Sequence, residues 1–157
     1  MKTSVLFLLL LSGCASMQSE SGLGATKVDI AKPELRIDQL SSVPVAARHI
    51  EGGIPVQYAL RVLNHAGDPI TLKQVTVTSM GYGAYNVVQT SRPFKTLVQP
   101  EHTEVVQFWV PAYIDNASLV GANGPVTLRV VAQFDSPLGQ FQEIVVQQVN
   151  ASTGVDG

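Results

Sequence analysis

The sequence predicts an all-β chain folded as two antiparallel sheets packed face to face. Three observations lead there. Apolar and polar residues alternate with period two along most of the chain after Lys27. No stretch of that region carries an amphipathic helical stripe. Turn-forming residues punctuate the alternating runs, and the nine prolines lie between the runs or at their edges, where a missing N–H costs no ladder bond.

The runs follow in order. Leu35 and Ile37 alternate with Arg36 and Asp38. Val56, Tyr58, Leu60 and Val62 share a face opposite Gln57, Ala59, Arg61 and Leu63. Ile70 and Leu72 share another, which Val75 and Val77 continue only after one extra residue, so a bulge is expected at Lys73-Gln74. Tyr85 and Val87 form a short run, and Phe94, Thr96 and Val98 the next. Val106, Phe108 and Val110 oppose Val105, Gln107 and Trp109. Val126, Leu128, Val130, Ala132 and Phe134 give the longest unbroken alternation, and Phe141, Ile144, Val146 and Gln148 mark the last segment. Stiff β-branched and broad aromatic side chains fit a pleated surface.

The links agree. Asn64-His65-Ala66-Gly67-Asp68-Pro69 and Pro100-Glu101-His102-Thr103 separate strands. Gly81-Tyr82-Gly83 allows positive φ twice. Asn123-Gly124-Pro125 stops what precedes it, and Ser136-Pro137-Leu138-Gly139 suits a type I turn. Asp115 could cap one helical turn over 115–120. Seven to eight short strands in about 125 residues indicate an immunoglobulin-like antiparallel β-sandwich, with a barrel as the alternative. The Cys–Trp–Cys pattern of antibody domains is absent.

Composition sets limits. The chain has 157 residues, 14% of them charged, and a net charge of −2. That size fits about one domain. Lys and Arg are scattered, so no basic stripe tracks nucleic-acid phosphates and no nucleic-acid partner is expected. One cysteine excludes an internal disulfide framework and any multi-cysteine metal site.

The first residues read as an address. Lys2 precedes the apolar run Val5–Leu11, and Ser12-Gly13-Cys14 follows. The run is far shorter than the roughly 20 residues a bilayer span needs, and its layout is that of a secretory signal. Leu11-Ser12-Gly13-Cys14 resembles the lipobox of bacterial lipoproteins. That resemblance implies cleavage before Cys14, removal of the signal peptide 1–13 and acylation (diacylglyceryl on the thiol, then an amide-linked palmitate-type chain). It further implies a membrane partner through the lipid anchor. Ala15 rather than Asp after the cysteine implies, by enterobacterial sorting rules, the outer membrane. Residues 14–26 then form a flexible tether, 27–150 the sandwich and 151–157 a disordered tail.

A second resemblance covers about 50 residues. Leu60-Arg61-Val62-Leu63-Asn64, Pro69-Ile70-Thr71-Leu72 with Val75 and Val77, and Leu97-Val98-Gln99-Pro100 with Val105-Val106 are similar to the strand–turn–strand pattern of LEA/WHy water-stress domains. Those domains are β-sandwiches, and no catalytic residue belongs to the pattern. Their turn is typically Asn-Pro-Asn, whereas Asn64 is followed here by His65-Ala66.

Chemistry-bearing motifs are sparse. His49, His65 and His102 fall in or beside turns with no His-x-His or Glu-x-x-His spacing, so no metal and no cofactor are expected. No Gly-x-Ser-x-Gly elbow occurs, and Gly52-Gly53 lacks the Lys-Ser/Thr of a phosphate loop. No catalytic residue is assigned. The aromatics remain. Phe108 and Trp109 are adjacent in a strand, so they point to opposite faces. Trp109 with Tyr82, Tyr85 and Tyr113 is the candidate ligand or partner surface, set against the alternative that Trp109 is core and the tyrosines seal the sandwich ends. The expected function is a lipid-anchored, non-enzymatic envelope module that binds another envelope protein; the alternative is glycan or small-ligand binding through exposed aromatics.

Overall fold

The computed structural model describes residues 31–41, 53–81, 83–114 and 124–150. The expectations for the leader 1–13, for Cys14 and its tether, for a turn at 115–120, for Tyr82 and for the tail 151–157 lie outside those residues. The described residues form eight strands: β1 (Glu34–Gln39), β2 (Ile54–Leu63), β3 (Ile70–Met80), β4 (Asn86–Val87), β5 (Thr90–Val98), β6 (Thr103–Tyr113), β7 (Val126–Ser136) and β8 (Gly139–Val149). Each coincides with an alternating run in the sequence. They form two four-stranded antiparallel sheets, β1-β2-β6-β4 and β5-β3-β7-β8. The protein is an all-β sandwich of immunoglobulin-like type.

The pleat explains the layers. Ile37, Val56, Tyr58, Leu60, Val62, Phe108 and Val110 project from the first sheet. Leu72, Val75, Val77, Leu128, Val130, Ala132 and Phe134 project from the second, and the two sets form one core. Each large apolar side chain so buried contributes about 1.5–3 kcal/mol. The bulge lies where the broken alternation put it: the register of β3 against both β5 and β7 shifts between Leu72 and Gln74. The extra residue returns Val75 and Val77 to the core face.

Three prolines fall inside strands rather than between them, which corrects the sequence expectation. Pro93 lies in the edge strand β5, where the absent N–H removes no necessary bond. Pro55 in β2 stands directly opposite Pro111 in β6. The Val88 N–H donates to the Pro111 carbonyl at 3.1 Å, so the Pro111 backbone faces β4. The Gln57 carbonyl accepts from the Leu40 N–H at 2.8 Å, so odd-numbered β2 residues face β1. Neither proline therefore owes the other a ladder bond. The two glycines around Tyr82 also divide their roles. Gly81 adopts φ 71°, whereas Gly83 does not. A Cβ on Gly83 would come within 2.9 Å of the Pro125 carbonyl, so close packing is what requires glycine there.

The ladder registers define two ends. The chain comes in at Lys32-Pro33 beside the β2–β3 link, the β5–β6 link and the β7–β8 turn. Asn64 ties two of these links together. It is fully buried, and its amide donates to the carbonyls of Asp68 (2.9 Å) and Val98 (3.1 Å) while accepting from the Ala66 N–H (2.9 Å). Its backbone N–H reaches the His102 carbonyl at 3.1 Å, and its carbonyl accepts from the Glu101 N–H at 2.9 Å. The chain leaves β8 at the opposite end, where Val149 pairs with Val126. Among the described residues no helix is long and apolar enough to cross a membrane.

Candidate functional site

The aromatic candidates divide between core and surface. Strand parity puts Phe108 inward, 6% exposed, and Trp109 outward, 47% exposed. Tyr113, four residues on and on the same face, is 45% exposed. Tyr85 is fully buried and does not belong to any ligand surface, which corrects its place among the candidates. The reason is a hydrogen-bond chain the sequence does not display. The Tyr85 hydroxyl donates to Gln39 Oε1 at 2.5 Å, so at 2.7 Å the Tyr58 hydroxyl must donate to Tyr85. Gln39 Nε2 in turn donates to the Ser41 carbonyl at 2.6 Å, and Ser41 Oγ accepts from the Gln57 N–H at 2.8 Å. Burial pushes the Tyr85 phenol up to about 12, partly offset by the hydrogen bond from Tyr58. Burial also raises the Tyr58 phenol, with the neighbouring Tyr85 adding to it. Both stay neutral and structural.

Trp109 and Tyr113 belong to a continuous row. Every second residue of β6 faces out from the first sheet: Val105, Gln107, Trp109, Pro111 and Tyr113. At about 3.4 Å per residue the Cα atoms of Trp109 and Tyr113 lie roughly 14 Å apart along the strand. On the adjoining strand Arg61, Ala59, Gln57 and Pro55 stand opposite Val105, Gln107, Trp109 and Pro111. The half of the face around Trp109 is thus Pro55, Gln57, Gln107 and Pro111, with the two glutamines joined at 3.2 Å. Ionic groups gather on the other half, where Asp38 meets Arg36 at 3.2 Å and Arg61 at 4.0 Å. With two half-exposed aromatic rings, two prolines and two glutamines, and Arg92 only at its rim, this end of the surface has the composition of an interface centre rather than of solvated sheet. Arg92 of β5 fixes its rim, its Nε donating to the Trp109 carbonyl at 2.9 Å.

The remaining candidates do not converge. His65 Nε2 lies 3.5 Å from a Glu34 carboxylate, His102 Nδ1 lies 2.8 Å from the Pro100 carbonyl, and His49 is outside the described residues. Among the described residues no group of three or more His, Cys, Asp or Glu is placed to hold a metal ion. A hollow of about 480 Å³ lies on the second sheet at the β7–β8 hairpin. Its floor is Phe134 stacked on Phe141, with ring centroids 5.2 Å apart, and its Lys73 is paired with Asp135 at 3.3 Å. It contains none of the aromatic candidates. The sequence reading placed Val105 and Gln107 on the face of Trp109 but left out Pro55 and Pro111. The parity that separates Trp109 from Phe108 reaches Pro111, whereas Pro55 joins the face only through the register of β2 on β6.

No protein-family model matches the chain, and no curated protein matches it. Solved structures do superpose. The solution structure of a protein described as late embryogenesis abundant (LEA) is 17% identical over 79% of this chain and 72% of its own, with a TM-score of 0.53. A crystal structure of a protein from Archaeoglobus fulgidus is 9% identical over 73% of this chain and 91% of its own, at 0.47. An ASH/PapD-like domain of human CEP192 is 13% identical over 98% of this chain and 99% of its own, at 0.39. The first superposition shows the shared β-sandwich fold.

Proposed function

We propose that the chain is a non-enzymatic docking module of a bacterial envelope. In this reading acylated Cys14 holds it to the membrane, the outer membrane by its following residue, and the Trp109–Tyr113 face binds another envelope protein. The observation that carries the reading is the exposed aromatic half-face of Trp109, Tyr113, Pro55 and Pro111, which holds no ionic side chain of its own. Its placement fits an N-terminal anchor. The chain comes in beside Leu63 and Thr103, whereas Tyr113 lies at the other end of β6, so a tether on that side would hold the aromatic end away from the lipid.

Two measurements test it. The first is replacement of Cys14 by Ser followed by membrane fractionation; a variant that stays bound would sink the anchor. The second is a photo-cross-linking residue at Trp109 or Gln107 in living cells, followed by mass spectrometry. A reproducible envelope protein captured there, and not from Lys95 on the opposite sheet, supports docking.

The glycan alternative keeps one supporting observation, the exposed ring of the only tryptophan. A soluble glycan that shifts its fluorescence would replace the protein partner. Burial of Tyr85 weighs against a tyrosine-lined groove.

A further inference from the structure

The two sheets have four edges, and three are blunted. β1 is six residues long, and the Gln147 side chain occupies the backbone groups of Ile37 on its outer side. β4 is two residues long, and beyond it the edge of β6 is capped by Arg92 at the Trp109 carbonyl. β5 carries Pro93, Arg92 and Lys95. Short strands, proline and cationic side chains are the usual devices that stop edge-to-edge pairing. β8 has none of them. It runs eleven residues from Gly139 to Val149 without proline, lysine or arginine. Its one charge, Glu143, shares the core-side parity of Val145 and Gln147 and is paired with Lys32 at 3.3 Å.

We infer that β8 is a pairing edge and that its partner is β8 of a second copy of this chain. The hairpin register decides which groups are offered. Ser136 pairs with Gly139 across a two-residue turn, so odd-numbered β8 residues bond to β7 and even-numbered ones point their N–H and C=O outward. Those are Gln140, Gln142, Ile144, Val146 and Gln148. Among the described residues no strand pairs with them on that side.

Antiparallel pairing about a two-fold axis at Val145 sets Ile144 against Val146 of the partner subunit, and Gln142 against Gln148 of the partner subunit. On the other face Glu143 meets Gln147 of the partner subunit. Apolar residues then meet apolar ones and amides meet amides, and no like charges are opposed. Ile144 and Val146, 42% and 55% exposed, would cover each other and continue the apolar strip to Val131. An isologous contact requires that self-complementarity. An unrelated partner strand would not require it.

The test uses the full chain, purified in detergent. Sedimentation across a concentration series is expected to show a reversible dimer. Ile144→Lys should weaken it at least tenfold while the melting temperature of the dilute monomer stays unchanged, because residue 144 points outward. Leu97→Lys, on the blunted β5 side, should leave it intact. Co-expressed Ile144→Cys and Val146→Cys chains should cross-link to each other, whereas Gln142→Cys chains should not cross-link to themselves. A monomer at every concentration overturns the proposal, and so does a dimer indifferent to Ile144→Lys. Capture of a different protein by a monomer, abolished by Ile144→Lys, would assign the edge to that protein and overturn the second-copy partner.

Discussion

The side-chain amide of Gln147 bonds both backbone groups of Ile37, a residue 110 positions away. Its Oε1 accepts from the Ile37 N–H at 3.1 Å, and its Nε2 donates to the Ile37 carbonyl at 2.7 Å. A glutamine side chain thus takes the place of a neighbouring strand's peptide group, and it joins the edge of one sheet to the edge of the other.

Replacement of Gln147 by Leu leaves both groups without that partner and is expected to cost about 1–3 kcal/mol in denaturant unfolding. Glu at the same position separates the two bonds. A carboxylate accepts from the N–H but opposes the carbonyl, so its protonated form fits the folded state better and its folded pKa is raised. The stability that protonation gives is present below about pH 4.3 and lost as pH rises. The gap between Gln147→Glu and the parent protein should therefore narrow on acidification.

The tyrosine chain predicts an asymmetry. Tyr85→Phe removes the donor to Gln39 and the acceptor for Tyr58, stranding one buried and one half-buried polar atom. Tyr58→Phe removes one donor only, and Tyr85 keeps its bond to Gln39. Unfolding should show a loss of about 2–3 kcal/mol for the first and about 1 kcal/mol for the second.

The same pair sets an alkaline limit. Both phenols are raised by burial, Tyr85 to about 12. In the unfolded chain they ionise near pH 10, whereas in the folded chain they stay neutral. Their contribution is therefore complete below about pH 10 and declines above it, by about 1.4 kcal/mol per tyrosine per pH unit. Phenolate absorbance should rise in step with unfolding for these two residues.

Asn64 should tolerate no replacement. Asn64→Ala leaves the carbonyls of Asp68 and Val98 and the Ala66 N–H without partners. A loss of at least about 2–3 kcal/mol is expected in denaturant melts. Asn64→Asp should do worse at neutral pH, since a carboxylate would face two carbonyls.

Trp109→Ala should behave in the opposite way. With the ring half exposed, the change in stability should be about 1 kcal/mol or less, while cross-linking to the proposed envelope partner disappears. Unchanged capture would remove Trp109 from the docking face.

The strands were legible because alternation and turn chemistry are local properties. Period two located all eight strands, and the missing beat after Leu72 located the bulge. Trp109 and Phe108 could be put on opposite faces by parity, but which face was outside depends on the second sheet. The burial of Tyr85 was not legible. A phenol enters a core only with a partner for its hydroxyl, and that partner, Tyr58, lies 27 residues away on another strand. Asn64 was read as a turn residue, which it is; its contact with Val98 requires the β5–β6 link to fold back on it. Pro111 was read as lying at the edge of a run, although the strand continues through it because its backbone faces away from β2. The openness of β8 is likewise a property of the other three edges, and only strand order reveals it.

The chain comes in at one end of the sandwich and leaves at the other, on terminal strands that run in the same direction. Tension applied between the two ends would therefore act along the strands. The ladders of β1 on β2 and of β8 on β7 would be loaded in shear, with their bonds sharing the force, instead of opening one at a time. Gln147 and the Lys32–Glu143 pair would carry part of the same load between the sheets. Such a sandwich would resist a pull along its strands better than one whose terminal strands peel away from their neighbours.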